Sequence, residues 1–147
     1  MQRTTLLAWS RAVLVLSIFC AALSAGCLSD ESHDVKGTSR SSGMVGQIRL
    51  LEEFQASQAR LKLELRAVPP PSRFGAASSV FVVWDRRGSH LVQLGTLEVD
   101  AAQHTARFEH VTAAGPFVLL VTAEPGASVS TPSSRTLLAQ PMSGLSR

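Results

Sequence analysis

The sequence predicts an all-β protein, built as an antiparallel β-sandwich of about seven strands, with a small β-barrel as the alternative. Three observations predict this class. Polar and apolar residues alternate without error over residues 60–68, the period of a half-buried strand. Residues 79–84 and 117–123 are uncharged, β-branched and aromatic, as interior strands are. Turn-forming residues separate these segments at even spacing, which is typical of sandwiches.

The first strands are delimited by clear turn signals. Residues 47–50 alternate, and residues 51–54 either prolong that strand or form a turn of helix, with the strand preferred. Three consecutive prolines at positions 69–71 end the strand of residues 60–68, because proline cannot donate to a ladder. The interior strand that closes at Trp84 is followed by residues 85–89, which we expect to form an exposed loop.

The second half of the chain continues this pattern. Residues 90–94 and 96–100 both alternate, but their parity slips at Gly95, which predicts a β-bulge. Along the chain, a strand at residues 105–111 precedes the interior strand of residues 117–123, and a strand at residues 135–139 follows it. Short strands in this number and spacing favour an immunoglobulin-like sandwich without a helix.

The N-terminus has the pattern of an export signal. Arg3 and Arg11 are the only charges before Cys27, and residues 12–25 carry none. That apolar run is shorter than the roughly 20 residues that span a bilayer. Residues 23–27, Leu-Ser-Ala-Gly-Cys, resemble the lipobox of bacterial lipoproteins. The commonest lipobox has leucine three residues before the cysteine, whereas here Ser24 holds that place.

The lipobox resemblance implies cleavage before Cys27 and lipidation of its thiol by acyl chains such as palmitate. Two or more chains anchor a protein stably to a membrane. The expected location is the extracytoplasmic side of the cell envelope, with the outer membrane favoured over the inner because Leu28 rather than aspartate follows the cysteine. An uncleaved anchor helix and a plain secretory signal are the alternatives.

These predictions divide the chain into four parts. Residues 1–26 form the signal peptide, and residues 27–45 a flexible, lipid-anchored tether. The tether is predicted because the stretch is rich in serine and glycine and has only Val35 and Met44 to bury. Residues 46–141 form the sandwich, and residues 142–147 a frayed C-terminus.

Charge and cysteine content exclude several classes of function. Without Arg3 and Arg11 the 14 basic residues become 12 against 11 acidic ones, a net charge of +1. The remaining basic residues are scattered, so we expect no nucleic-acid partner. Cys20 lies in the discarded signal and Cys27 is the lipidation site. The sandwich therefore has no thiol for catalysis, redox chemistry or zinc.

Residues 80–138 carry a set of motifs in a characteristic order. They are Phe81-Val82-Val83-Trp84, Leu94-Gly95-Thr96-Leu97, Arg107-Phe108, Gly115-Pro116-Phe117, Glu124-Pro125-Gly126 and a Pro132-containing loop before Leu137-Leu138-Ala139. This stretch resembles the extracytoplasmic C-terminal domain of the anti-sigma-K factor family. The resemblance implies a sandwich outside the cytoplasm. Sigma-factor binding is not carried over, because we expect no cytoplasmic domain before the signal.

Only three residues are singled out as a binding surface, Trp84, Arg86 and Arg87. A structural role is the alternative interpretation of Trp84, since a tryptophan that ends a strand usually covers the core of a sandwich. We assign no catalytic, cofactor-binding or metal-binding residue. His90, His104, the Glu109-His110 pair and the isolated Asp85 and Asp100 are interpreted as ordinary surface or turn residues.

The predicted function is that of a non-enzymatic binding or scaffolding module without a cofactor, held on the membrane by its lipid. Its expected partner is an envelope protein or polymer, since sheet edges and end loops suit such recognition. The alternative is an extracytoplasmic accessory of a transmembrane regulator of the anti-sigma type.

Overall fold

The fold was derived from a computed structural model that describes residues 30–52 and 57–144 of the 147-residue chain. The lipobox and Cys27 therefore lie outside the described residues, as do residues 53–56 and 145–147. Nine strands and two short 3-10 turns make up the regular structure of this part. They are β1 (Asp30–Lys36), a turn (Ser39–Ser41), β2 (Val45–Glu52), β3 (Gln58–Arg66), a turn (Pro71–Phe74), β4 (Val80–Arg87), β5 (His90–Thr96), β6 (Glu98–Asp100), β7 (Thr105–Ala113), β8 (Phe117–Glu124) and β9 (Thr136–Met142).

The strands form two antiparallel sheets, which confirms the predicted sandwich. One sheet has the order β1-β2-β3-β7-β6, and the other has the order β5-β4-β8-β9. From β2 onwards this matches the A-B-E-D and C′-C-F-G sheets of immunoglobulin-like domains, with β1 added beside the first strand. The sheets remain separate, so the alternative of a closed barrel does not apply.

The core lies between the two sheets and is supplied by alternate residues of each strand. On β3 the buried residues are Ala59, Leu61, Leu63 and Leu65, while the intervening residues stay accessible. Leu119 and Val121 of β8 face them from the other sheet and are fully buried. This is the period of two that the sequence predicts for a strand at residues 60–68, and the strand is confirmed as far as Arg66. It ends there because Ala67 has a φ of 54°, which a strand does not adopt.

The flexible tether is corrected by the structure. Residues 30–36 form β1, which pairs with β2 along its whole length from Asp30↔Leu51 to Lys36↔Val45. Val35 and Met44 are only 3% and 1% exposed. The polar residues of this stretch are the exposed side of an edge strand, so low hydrophobicity here reflects the position of the strand and not disorder.

The turn after β1 is also fixed by polar contacts to the other sheet. Thr38 Oγ1 donates to the carbonyl of Thr136 at 3.0 Å, and Ser41 Oγ donates to the carbonyl of Leu137 at 3.0 Å. These bonds satisfy carbonyls of β9, the edge strand of the four-stranded sheet. Serine and threonine therefore dock this segment to the sandwich, where the sequence suggested a solvated linker.

The exposed loop predicted for residues 85–89 is wrong, because β4 continues to Arg87. Only Gly88 and Ser89 form the turn, and Gly88 has the positive φ of 58° that such a tight hairpin requires. Asp85 is 4% exposed. The charged residues predict a loop because a buried carboxylate is rare unless it is paired, and the partner of Asp85 cannot be identified from the sequence.

The bulge predicted at Gly95 is confirmed. Val83 pairs with Gly95 but Trp84 pairs with Gln93, so Leu94 is the extra residue on β5. Gly95 has a φ of 150°. Beyond it the chain leaves β5 and joins the other sheet as β6. This split and the addition of β1 account for nine strands where about seven were predicted.

The predicted fraying from residue 142 is also corrected. Met142 is 2% exposed and belongs to β9, and the amide of Ser143 donates to Glu31 Oε1 at 2.8 Å. The end of β9 is therefore held by β1. Across residues 30–52 and 57–144, no helix has the length and apolar character to cross a membrane.

Candidate functional site: the outer face of the four-stranded sheet

The three residues predicted as a binding surface separate onto two faces of β4. Phe81 and Val83 point into the core, so Trp84 and Arg86 lie on the outer face and Arg87 on the inner side. Trp84 is 1% exposed, and its Nε1 donates to Thr122 Oγ1 at 2.9 Å. The prediction is wrong for Trp84, which is buried. Of the three, Arg86 alone is well exposed.

Arg87 has a structural environment and is not a free surface charge. Its Nη2 lies 2.9 Å from Asp85 Oδ2 in an ion pair. Its two terminal nitrogens also donate to the carbonyls of Ala114, at 3.0 Å, and Ala113, at 2.6 Å. The guanidinium carbon stands 5.0 Å from the centre of the Phe117 ring, a cation–π distance. Arg87 thus connects β4 to the turn between β7 and β8.

Asp85 completes this cluster from inside the sandwich. Thr112 Oγ1, on the other sheet, donates to Asp85 Oδ2 at 3.0 Å. The carboxylate is therefore satisfied by one hydroxyl and one guanidinium, as a buried charge must be. An acid engaged in this way is a clamp between the sheets, which corrects the interpretation of Asp85 as an ordinary surface or turn residue.

Trp84 lies in a buried part of the outer face, beside a long connection that is bound to its β5 neighbour Gln93. This segment, residues 125–135, is held at two points: Gln93 Nε2 donates to the carbonyl of Ala127 at 2.7 Å, and Glu124 Oε1 accepts from the amide of Ser133 at 2.7 Å. Glu124 is 2% exposed. The half of the face that includes Val82, Trp84 and Thr122 is therefore closed to solvent.

The other half of the outer face carries a row of apolar side chains that remains accessible. The strand register brings five of them together around Arg86, because Arg86 pairs with Leu91 and Val118, Val118 with Pro141, and Leu120 with Ala139. We name this set the apolar patch: Leu91, Val118, Leu120, Ala139 and Pro141. The first three are half-buried, and the last two are exposed.

The outer face of the five-stranded sheet is different in character. It carries ion pairs between neighbouring strands, with Arg60 Nη1 2.6 Å from Glu109 Oε1 and Arg49 Nη2 2.8 Å from Asp30 Oδ2. The hydrogen bond from Arg60 holds the pKa of Glu109 below its ordinary value. These charges are exposed and balanced, as on a solvated sheet face. Val45 and Val111 are exposed on this face as well, but each is paired across the sheet with an arginine. The members of the apolar patch are neighbours of one another, and the patch departs from this pattern.

The remaining polar residues have local roles. His104 adopts a φ of 51° in the turn after β6, and Asp100 Oδ1 accepts the amides of Ala102 and Gln103 in the same turn. The His110 ring is stacked on Phe108 with centroids 5.9 Å apart. Within the described ranges, no three His, Cys, Asp or Glu side chains converge to hold a metal ion.

Glu31 joins the two sheets through a contact that the sequence did not predict. Its Oε1 accepts from His33 Nε2 at 2.6 Å and from the Ser143 amide at 2.8 Å. Burial alone would raise the pKa of Glu31, but these hydrogen bonds and the charge of His33 outweigh burial and lower it. The one signal in the sequence is the Glu-x-His spacing, which places both side chains on the same side of a strand. It has this meaning only in a strand, and the sequence predicts a flexible tether here.

Comparisons with protein-family models, with curated proteins and with solved structures found no match to this chain. The anti-sigma-K resemblance therefore rests on its sequence motifs. In the structure those motifs run from β4 to β9, and the sandwich also contains β1, β2 and β3.

Proposed function

We propose that this protein is a lipid-anchored component of the bacterial cell envelope whose β-sandwich is a non-enzymatic binding module. The apolar patch carries the binding half of the proposal. A contiguous apolar area on the solvent-facing side of a sheet indicates a surface that another molecule covers. The anchor half is supported by the lipobox resemblance at residues 23–27.

The proposed occupant of the patch is an envelope protein or polymer with its own apolar surface. Arg86 at the centre of the patch adds a charged contact that can orient this partner. The non-enzymatic character is supported by the engagement of the acidic and imidazole groups described above. Asp85 clamps the sheets, Asp100 caps a turn and His110 stacks on Phe108.

The anchor is tested by Cys27→Ala in the full chain. We expect the variant to lose both metabolic palmitate labelling and membrane association, because the thiol is the acceptor of the lipid. Retention of both would contradict the lipoprotein assignment.

The binding face is tested with a photo-crosslinking amino acid at Ala139, which is exposed in the patch, against a control at Ala113 of the charged sheet. Irradiation of intact cells should give a discrete adduct from position 139 and none from position 113. The Val118→Glu substitution should abolish that adduct, because a charge cannot be desolvated in an apolar contact. Equal adducts from both positions, or none from either, would contradict the assigned face.

A further inference from the structure

The four edge strands of the two sheets differ in how they are protected from pairing with another strand. An edge strand leaves backbone N–H and C=O groups free on one side, and proteins usually block such an edge with charges, proline or a short length. The five-stranded sheet ends at β1 and β6, and the four-stranded sheet ends at β5 and β9. Three of these strands carry such protection, and β5 is the exception.

The protected edges use different means. β1 is charged at four of its seven positions, and β6 has only three residues, two of them acidic. On β9, Pro141 removes one backbone donor, and the hydroxyls of Thr38 and Ser41 already donate to two carbonyls of the strand. An added strand would therefore desolvate charges or lose hydrogen bonds at each of these edges.

β5 has seven residues and contains no Asp, Glu, Lys, Arg or Pro. Its bulge at Leu94 interrupts the ladder to β4 but leaves residues 90–93 as regular strand. Val92 lies within this stretch and is 56% exposed, more than any other large apolar residue in the described ranges. On the side away from β4, no described strand pairs with β5. This edge therefore has both free backbone groups and an apolar side chain to cover.

We propose that β5 pairs antiparallel with β5 of a second copy of this chain, with Val92 on the two-fold axis. Such an interface must be complementary to itself. In this register Val92 faces Val92 of the other copy and Leu91 faces Gln93, so no like charges are brought together across the axis. An uncharged strand gives a charged partner no electrostatic attraction, whereas it suits an identical strand.

The pairing joins two four-stranded sheets into one sheet of eight strands. Val92 pairs with Asp85 of β4 and so lies on the inner side of the sheet. The outer face, with the apolar patch, stays accessible to the partner proposed above, and the inference does not depend on lipidation. A strand pair of this length covers less than the about 800 Å² per partner of a standard interface, so we expect a concentration-dependent dimer.

Disulfide formation in intact cells that make the full chain tests the register. Directly opposite residues of an antiparallel pair have Cα atoms about 4.5–5.5 Å apart, within the range that a disulfide spans. Val92→Cys should therefore give a covalent dimer under mild oxidation with copper phenanthroline. Leu91→Cys should give far less, because diagonal neighbours are about 7–8 Å apart. Co-expression of Leu91→Cys with Gln93→Cys should restore the dimer.

The controls use the same cells. The unsubstituted chain shows any dimer formed through Cys20 or Cys27. Val45→Cys is the matched valine, since Val45 is 48% exposed on the other sheet. A dimer yield at position 92 no higher than at position 45 or in the unsubstituted chain would overturn the inference, as would an adduct of position 92 with a different protein alone.

A charge on the axis provides a second test. Val92→Lys places two ammonium groups opposite each other, and lysine is a common protector of edge strands. In this background the dimer between Leu91→Cys and Gln93→Cys should fall several-fold. Because Val92 is exposed, the amount of folded chain should not change. An undiminished dimer would contradict pairing through β5.

Discussion

Asp85 of β4 accepts a hydrogen bond from Thr112 of β7 at 3.0 Å, so a single buried carboxylate joins the two sheets. The same carboxylate is paired with Arg87, which in turn donates to two carbonyls of the β7–β8 turn. This end of the sandwich is therefore closed by a polar network and not by apolar packing alone. A network of this kind stabilises only while every member is present.

Removal of the guanidinium should destabilise the protein strongly. In Arg87→Ala the carboxylate of Asp85, whose side chain is 5% exposed, keeps its charge without a counter-ion. We expect a loss of about 3 kcal/mol in the free energy of unfolding, measured by urea denaturation of protein that begins at Leu28. The exposed neighbour provides the control, since Arg86→Ala should change the value by less than about 0.5 kcal/mol. Equal effects would show that Arg87 is an ordinary surface residue.

The Glu31 contacts predict an acid-sensitive attachment between β1 and β9. The pKa of Glu31 is lower in the folded protein than in the unfolded chain, where the ordinary value is 4.5. Its ionised form therefore stabilises the fold above that value, and the contribution is lost as pH falls through the lower folded pKa. Below about pH 4.5 we expect a smaller protection factor, the intrinsic exchange rate divided by the observed one, for the Ser143 amide that donates to Glu31.

The matching substitution is Glu31→Gln, which should increase exchange of the Ser143 amide already at pH 7 and remove most of the acid dependence. Asp34→Asn, on the exposed side of the same strand, is the control and should leave exchange at pH 7 unchanged. An acid dependence that persists in Glu31→Gln would assign it to another group.

The contribution of the buried hydrogen bond between Trp84 and Thr122 to stability can be tested by replacing its acceptor, Thr122. Thr122→Val keeps the shape of the side chain but leaves the indole N–H without its partner. We expect a loss of about 1–3 kcal/mol in the free energy of unfolding, while Thr122→Ser should retain most of the stability. Trp84 is the only tryptophan after residue 26, so its fluorescence reports this site directly. A fully stable valine variant would contradict the role of the bond.

Gly144 occupies a place where a side chain does not fit. Its φ is 73°, and a Cβ there would lie 2.3 Å from the carbonyl carbon of Gly115. Gly144→Ala should therefore cost about 1–3 kcal/mol in thermal unfolding. Gly126→Ala is the matched control, because a Cβ at that position meets nothing within 4 Å. If both variants were equally stable, the contact between the β7–β8 turn and the end of β9 would not be a tight one.

The strands of the core were predictable because their signal is local. Residues 60–68 alternate in a period of two, and residues 79–84 and 117–123 are apolar on both faces. The structure places β3, β4 and β8 at these positions. The slip of parity at Gly95 was equally readable, because a bulge changes the period within the strand itself.

The strand β1 and the polar network of Asp85, Thr112 and Arg87 could not be predicted from the sequence, and the reason is the same for both. The strand Asp30–Lys36 is polar because its outer side faces solvent at the edge of a sheet, and it is ordered by pairing with β2. Asp85 is buried because Thr112 and Arg87 satisfy it. In both cases the stabilising partner lies outside the local pattern, so the residues resemble a linker or a loop in isolation.

The sequence by itself determined the fold class and the positions of the core strands along the chain, since hydrophobic periodicity is written in consecutive residues. It also predicts the lipid anchor through the motif that ends at Cys27. Only the tertiary structure decided which half of the outer face of the four-stranded sheet is covered, because Trp84 and Val118 are both apolar residues on that face. Trp84 is buried beside the connection of residues 125–135, which is bound to Gln93 of β5, whereas Val118 stays accessible. That difference depends on a contact between segments distant in the chain.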